Sequence, residues 1–63
     1  MMLSKLGSFY KDNDEDVFAK VFLNEKTGYY EVHMYDRSLK EEPPVIMCVK
    51  YADAVDAATE WCS

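Results

Sequence analysis

Two stretches of this chain alternate residue by residue, and that alternation constrains the fold more than any other feature. In Val17-Phe18-Ala19-Lys20-Val21-Phe22-Leu23 the odd positions are aliphatic and the even ones are large aromatics with one lysine. In Tyr29-Tyr30-Glu31-Val32-His33-Met34-Tyr35 the even positions are Tyr, Val and Met, and the odd ones are Tyr, Glu, His and Tyr. A β-strand turns successive side chains to opposite sides, so each run presents one mostly aliphatic face and one that carries aromatics among charges. A chain of 63 residues holds one helix-like segment with which to cover one of those faces. The other stays half-apolar, which in a soluble protein points to a partner.

Residues 1–63 make one small domain. A domain of about 60 residues buries only ~60% of the surface its unfolded chain exposes, near the limit of independent stability. Nine residues are aromatic, which supplies a small core with apolar surface left over. That surplus favours a homodimer or docking on another protein.

The net charge is −5, with the acids concentrated in residues 12–16, at Glu41 and Glu42, and in the C-terminal segment. An acidic chain is repelled by nucleic-acid phosphates and anionic lipid headgroups, and the seven basic residues are spread singly. Nucleic acid and membrane are therefore not expected partners. The longest apolar runs fall far below the ~20 residues of a membrane span, and Met1-Met2-Leu3-Ser4-Lys5-Leu6 lacks the long apolar region of a secretory leader. The expected location is the cytoplasm. Two cysteines, Cys48 and Cys62, are too few for a disulfide scaffold, and with one histidine they fall short of a zinc site. They read as reduced thiols, Cys48 within a strand and Cys62 at a frayed end. No metal and no cofactor is expected.

Residues 3–10 mix apolar and polar types around Gly7 and fit either a short first strand or an irregular arm. Residues 12–16 contain no apolar side chain and read as a loop. Strands follow at 17–23 and 29–35, joined by Asn24-Glu25-Lys26-Thr27-Gly28, in which Gly28 can take the positive φ of a hairpin loop. Residues 36–44 are polar, end in Pro43-Pro44 and read as a connection. Residues 45–49 form a continuous apolar run that suits a strand covered on both sides. Residues 51–61 switch to helical period, with Tyr51, Val55, Ala58 and Trp61 or Cys62 on one stripe and Asp53, Asp56 and Glu60 facing away.

The pattern predicts an α+β fold, a three- or four-stranded antiparallel β-sheet meander with one C-terminal α-helix packed on one face. Val17, Ala19, Val21, Leu23, Tyr30, Val32 and Met34 are assigned to the helix side. A one-residue slip in the hairpin would exchange the faces of one strand.

Three constellations invite chemistry. Asp12, Asp14 and Asp16 match the opening of a calcium loop, but Val17 and Leu23 stand where that loop needs Gly and Glu. His33 shares a strand face with Glu31, which could orient it as a general base, yet one small sheet offers little concavity for a substrate. Phe18, Phe22, Tyr29 and Tyr35 with Lys20 are arranged like base-stacking aromatics of RNA-binding sheets, which are normally ringed by basic residues; here Glu31 sits among them. Contact with a second copy or another protein fits better. The expected interaction face is Phe18, Lys20, Phe22, Tyr29, Glu31, His33 and Tyr35, and no catalytic residue is assigned.

The segments Lys5-Leu6-Gly7-Ser8-Phe9-Tyr10-Lys11-Asp12, Val17-Phe18-Ala19-Lys20-Val21, Thr27-Gly28-Tyr29-Tyr30-Glu31-Val32 and Tyr51-Ala52-Asp53-Ala54-Val55-Asp56-Ala57-Ala58-Thr59-Glu60-Trp61 together resemble small proteins encoded by marine tailed cyanophages. The resemblance spans most of the chain. It implies a virus-encoded product acting inside a bacterial host, and it carries no activity and no functional residues with it. The function expected on these grounds is a non-enzymatic protein–protein interaction module acting through an uncovered sheet face or edge, with a host protein as its target. The alternative is an acidic nucleic-acid mimic that blocks a host polymerase or nuclease through Asp12, Asp14, Glu15, Asp16, Glu41 and Glu42. A small enzyme would need a pocket built between subunits.

Overall fold

The computed structural model describes residues 3–63; Met1 and Met2, on which the leader reading also rests, lie outside them. The chain runs β1 (Leu3–Lys11), β2 (Asp14–Asn24), β3 (Tyr30–Asp36), β4 (Ile46–Cys48) and α1 (Tyr51–Trp61). The strands form one antiparallel sheet in the order β1-β2-β3-β4, and α1 packs across one face. The expected α+β meander is the fold observed, with four strands.

The β2–β3 register pairs Ala19 with Met34, Val21 with Val32 and Leu23 with Tyr30. Directly opposed residues point to the same side, so the aliphatic residues of both strands share the helix face, as their alternation requires. Ala19, Val21, Val32, Ala54 and Ala58 are fully buried, with Phe9, Tyr30, Met34, Ile46 and Trp61 packed around them. The largest fully buried side chains are two valines. At about 1.5 kcal/mol or a little more for each such side chain, this is a thin core.

The helix meets the sheet through alanines. Ala54 and Ala58, one turn apart, have no exposed surface, which lets the helix backbone lie close over β2 and β3. This rotates the expected stripe. Ala54, absent from the expected stripe, is buried, whereas Tyr51 is exposed and tilts its ring against Tyr30 at 5.6 Å, and Val55 is only half-buried. The C-terminal end is not frayed. Cys62 N donates to Ala58 O at 3.2 Å and Cys62 Sγ donates to Phe9 O at 3.4 Å. Burial pushes the Cys62 thiol pKa up.

Three further boundaries differ from the sequence reading. β2 starts at Asp14, so the acidic loop shrinks to Asp12-Asn13, where Asn13 adopts φ 62°. Backbone pairing carries the strand past its apolar pattern: Lys11 opposes Asp14, and Arg37 N donates to Asp16 O at 3.1 Å. β3 starts at Tyr30, leaving Tyr29 at the end of the turn. That turn is closed by Gly28 at φ 80°, Gly28 N to Asn24 O at 2.7 Å, and Asn24 N to Tyr29 O at 2.9 Å. The run 45–49 yields only a three-residue strand, and Val45, Met47 and Val49 are exposed rather than covered on both sides. β4 is an edge strand, and Pro43-Pro44 stop it from lengthening at its start.

Candidate functional site: the open face of the sheet

Opposite the helix, the sheet carries its side chains in rows set by the register. One row crosses Tyr10, Phe18 and Tyr35, the next Ser8, Lys20 and His33, and the third Lys5, Phe22, Glu31 and Met47. Six of the seven residues expected at the interaction face therefore lie together on one surface. Tyr29 is the exception: it sits on the turn before β3, exposed, with its N–H donating to Thr27 Oγ1 at 3.2 Å.

The first row is a stacked aromatic ladder. Phe18 lies 4.6 Å from Tyr35 with rings 12° from parallel, and 5.9 Å from Tyr10 at 28°. Lys20 places Nζ 5.8 Å from the Phe18 ring centroid and 5.6 Å from that of Tyr35, within reach of the negative ring faces. In the adjoining rows Phe22 meets the His33 imidazole edge-on at 4.7 Å.

Glu31 is buried although it belongs to the open face, because Phe22 and Met47 flank it in its row. A buried carboxylate needs partners. Asn24 Nδ2 donates to Oε2 at 2.9 Å, and His33 Nε2 lies 3.0 Å from Oε1. These bonds, that of Asn24 foremost and that of His33 second, hold the Glu31 carboxyl below its ordinary pKa against the opposing effect of desolvation. Glu31 thus fixes the imidazole against Phe22. The assembly is a braced polar pair on an aromatic surface.

The sequence reading missed Tyr10, Lys5 and Met47. Between Lys5 and Gly7 the β1–β2 register shifts by one residue, leaving Leu6 as a bulge, and a bulge breaks the alternation by which a face is recognised. Met47 was hidden in a run that looked buried on both sides. The six acidic residues of the mimic reading lie toward one end of the sheet. Asp12, Asp14, Glu15 and Asp16 surround the first turn, while Glu41 and Glu42 wall a hollow of about 410 Å³ that also touches Phe18 and Tyr35. Among the described residues no group of three His, Cys, Asp or Glu side chains is placed to hold a metal ion, and no helix is long and apolar enough to cross a membrane.

No protein-family model matches the chain, and searches of curated proteins and of solved structures likewise return no match.

Proposed function

We propose that the chain is a non-enzymatic protein-binding module that seats a partner on the open face, using Phe18, Lys20, Phe22, Glu31, His33 and Tyr35 with Tyr29 at the margin. The observation that carries this reading is the stacked row Tyr10–Phe18–Tyr35 under Lys20, aromatic surface held in place on the side the helix does not cover. Such preordered aromatics bind at low entropic cost. Each aromatic side chain buried on binding contributes on the order of 1.5–3 kcal/mol. The molecule measures 33 by 22 Å along its two longer axes, a face comparable with the ~800 Å² per partner of a standard interface. The partner we infer is a bacterial host protein met in the cytoplasm, in line with the cyanophage resemblance and two free thiols. A second copy of the chain is the other occupant the face admits.

The test uses Lys20→Glu combined with Tyr10→Ser, two substitutions on the face at residues that are not buried. The wild type is expected to capture a defined protein from cyanobacterial lysate, or to self-associate in sedimentation, and the double variant to lose this while its circular dichroism is unchanged. Equal capture by both proteins rejects the reading. The acidic-mimic reading has one observation in its favour, the gathering of Asp12, Asp14, Glu15, Asp16, Glu41 and Glu42 at the sheet end that holds Phe18 and Tyr35. Salt separates the two. Mimicry weakens steeply between 50 and 500 mM salt, whereas an apolar face does not.

A further inference from the structure

Beside the second half of β3 the sheet lacks a strand. The bond from Arg37 N to Asp16 O sets the phase of the ladder, because hydrogen-bonded pairs alternate along antiparallel strands. Residues 31, 33 and 35 therefore aim their main-chain groups at β2, and Tyr30, Val32 and Met34 aim theirs away from it. Cys48 and Ile46 take up Tyr30 and Val32. Continued one step, this register would put Pro44 opposite Met34, and proline has no N–H to donate. The ladder stops there, and among the described residues no strand runs beside Met34.

Two hollows flank the gap. On the open-face side Phe18, Tyr35, Leu39 and Val45 wall the space of about 410 Å³, and on the helix side Ile46, Ala57 and Trp61 wall one of about 400 Å³. Met34 borders both. Successive side chains of a strand point to opposite faces, so one added strand could serve both hollows with neighbouring residues. Glu41 and Glu42 stand at the first hollow and Glu60 at the second. Arg37 and Lys40 share the first rim with Asp36, so three carboxylates stand there against two cations.

We propose that this notch takes up an extended peptide segment of a partner protein. The segment pairs with the main chain of Met34, sends one apolar side chain into each hollow, and sets a lysine or arginine against Glu41 and Glu42. Main-chain pairing supplies affinity and the two hollows supply selectivity, the division of labour found wherever a peptide completes a sheet. The first hollow shares Phe18 and Tyr35 with the open face, but main-chain pairing at Met34 and a side chain against Trp61 are contacts that docking on the open face does not make, and these tell the two proposals apart.

The test pans a random heptapeptide display library against the full chain and titrates the selected peptides by amide NMR. The expected motif is two adjacent apolar residues next to a basic one, with the largest shifts at Met34, Val45 and the Trp61 indole. Pro44→Val, which restores the donor and lets β4 close the gap, is expected to weaken these peptides about tenfold, the worth of one to two main-chain bonds. Lys26→Glu, in the exposed turn between β2 and β3, should leave them unaffected. Glu41→Lys with Glu42→Lys serves as a second variant and should lose the basic peptides. Failure to enrich any sequence overturns the proposal. So do shifts centred on Lys20 and Phe22, shifts along β1, a concentration-dependent Met34 shift that reveals a second copy in the notch, or full binding by either variant.

Discussion

Replacing Phe18 with alanine measures how much of the open face holds the sheet together and how much is free for a partner. Phe18 stacks on Tyr35 at 4.6 Å and on Tyr10 at 5.9 Å. Aromatic pairs of this kind contribute about 0.5–1.5 kcal/mol each beyond area burial. The near-parallel Tyr35 stack belongs toward the upper end, and the Tyr10 stack toward the lower, since Tyr10 is 64% exposed. Together they amount to roughly 1.5 kcal/mol. Loss of the half-buried ring from its site adds about 1 kcal/mol, for a total near 2.5 kcal/mol. A 63-residue domain has a net stability of roughly 3–9 kcal/mol, so the variant stays folded at 25 °C but loses on the order of 10–20 °C in Tm. Urea unfolding followed by Trp61 fluorescence gives the value, and a double-mutant cycle with Tyr35→Ala isolates a coupling of about 1 kcal/mol. A cost under about 0.5 kcal/mol with no coupling would refute the ladder as a structural element. A cost above about 4 kcal/mol, in the range of fully buried Phe→Ala changes, would make Phe18 core and remove it from the binding face.

Ala58→Leu forces extra carbons into the helix–sheet contact, where Ala58 has no exposed surface; we expect a loss of about 1–3 kcal/mol and a red-shifted Trp61 emission as its 3.2 Å bond to Tyr35 O breaks. An unchanged midpoint would show that the helix sits higher than the alanines imply. Gly28→Ala should cost about 1–2 kcal/mol through φ 80° alone, since the added Cβ meets nothing within 4 Å, while Asn13→Gly at φ 62° should be near neutral; both follow from thermal melts. The Glu31 carboxyl is held below its ordinary value of 4.5 by Asn24 and then His33. A lowered folded-state pKa stabilises the native state above the unfolded pKa, and that contribution is lost as pH falls through the folded value. Glu31→Gln should therefore melt below the wild type at neutral pH and converge with it in acid, and a gap that widens on acidification would reverse the assignment.

The central hairpin was legible because two independent signals agreed. Alternation in β2 and β3 set the faces, and a loop ending in Gly28 is compatible with only some registers. Where one signal stood alone, it misled. The absence of apolar residues at Asp14, Glu15 and Asp16 suggests a loop, yet strand pairing is a main-chain property and continues wherever a partner strand is present. The apolar run at 45–49 suggests a strand covered on both sides, but composition says nothing of sheet position, and β4 is an edge. Tyr51 looked like helix core by period and size. A contact surface set by Ala54 and Ala58 holds the helix too close to the sheet for a tyrosine between them. Tyr10 has no face in the sequence reading because residues 3–10 mix apolar and polar types around Gly7, and with the Leu6 bulge among them they show no steady alternation to follow.

The rows of the open face also bear on what kind of partner suits them. In a chain of net charge −5, the three paired rows carry Lys5 and Lys20 against the single carboxylate of Glu31, and that carboxylate is already engaged by Asn24 and His33. A face-to-face homodimer sets this surface against itself. Whatever the position of its two-fold axis, both halves bring the same excess of positive charge to a region that must lose water, and the acidic ends of the two copies add long-range repulsion. A different protein can offer carboxylates to Lys5 and Lys20 and an apolar edge to the ladder, gaining the same aromatic burial without the like-charge contact. The open face is therefore better matched to a foreign, locally acidic surface than to its own copy. On the proposed reading, the aromatic ladder would fix where such a surface sits, and the lysines what charge it carries.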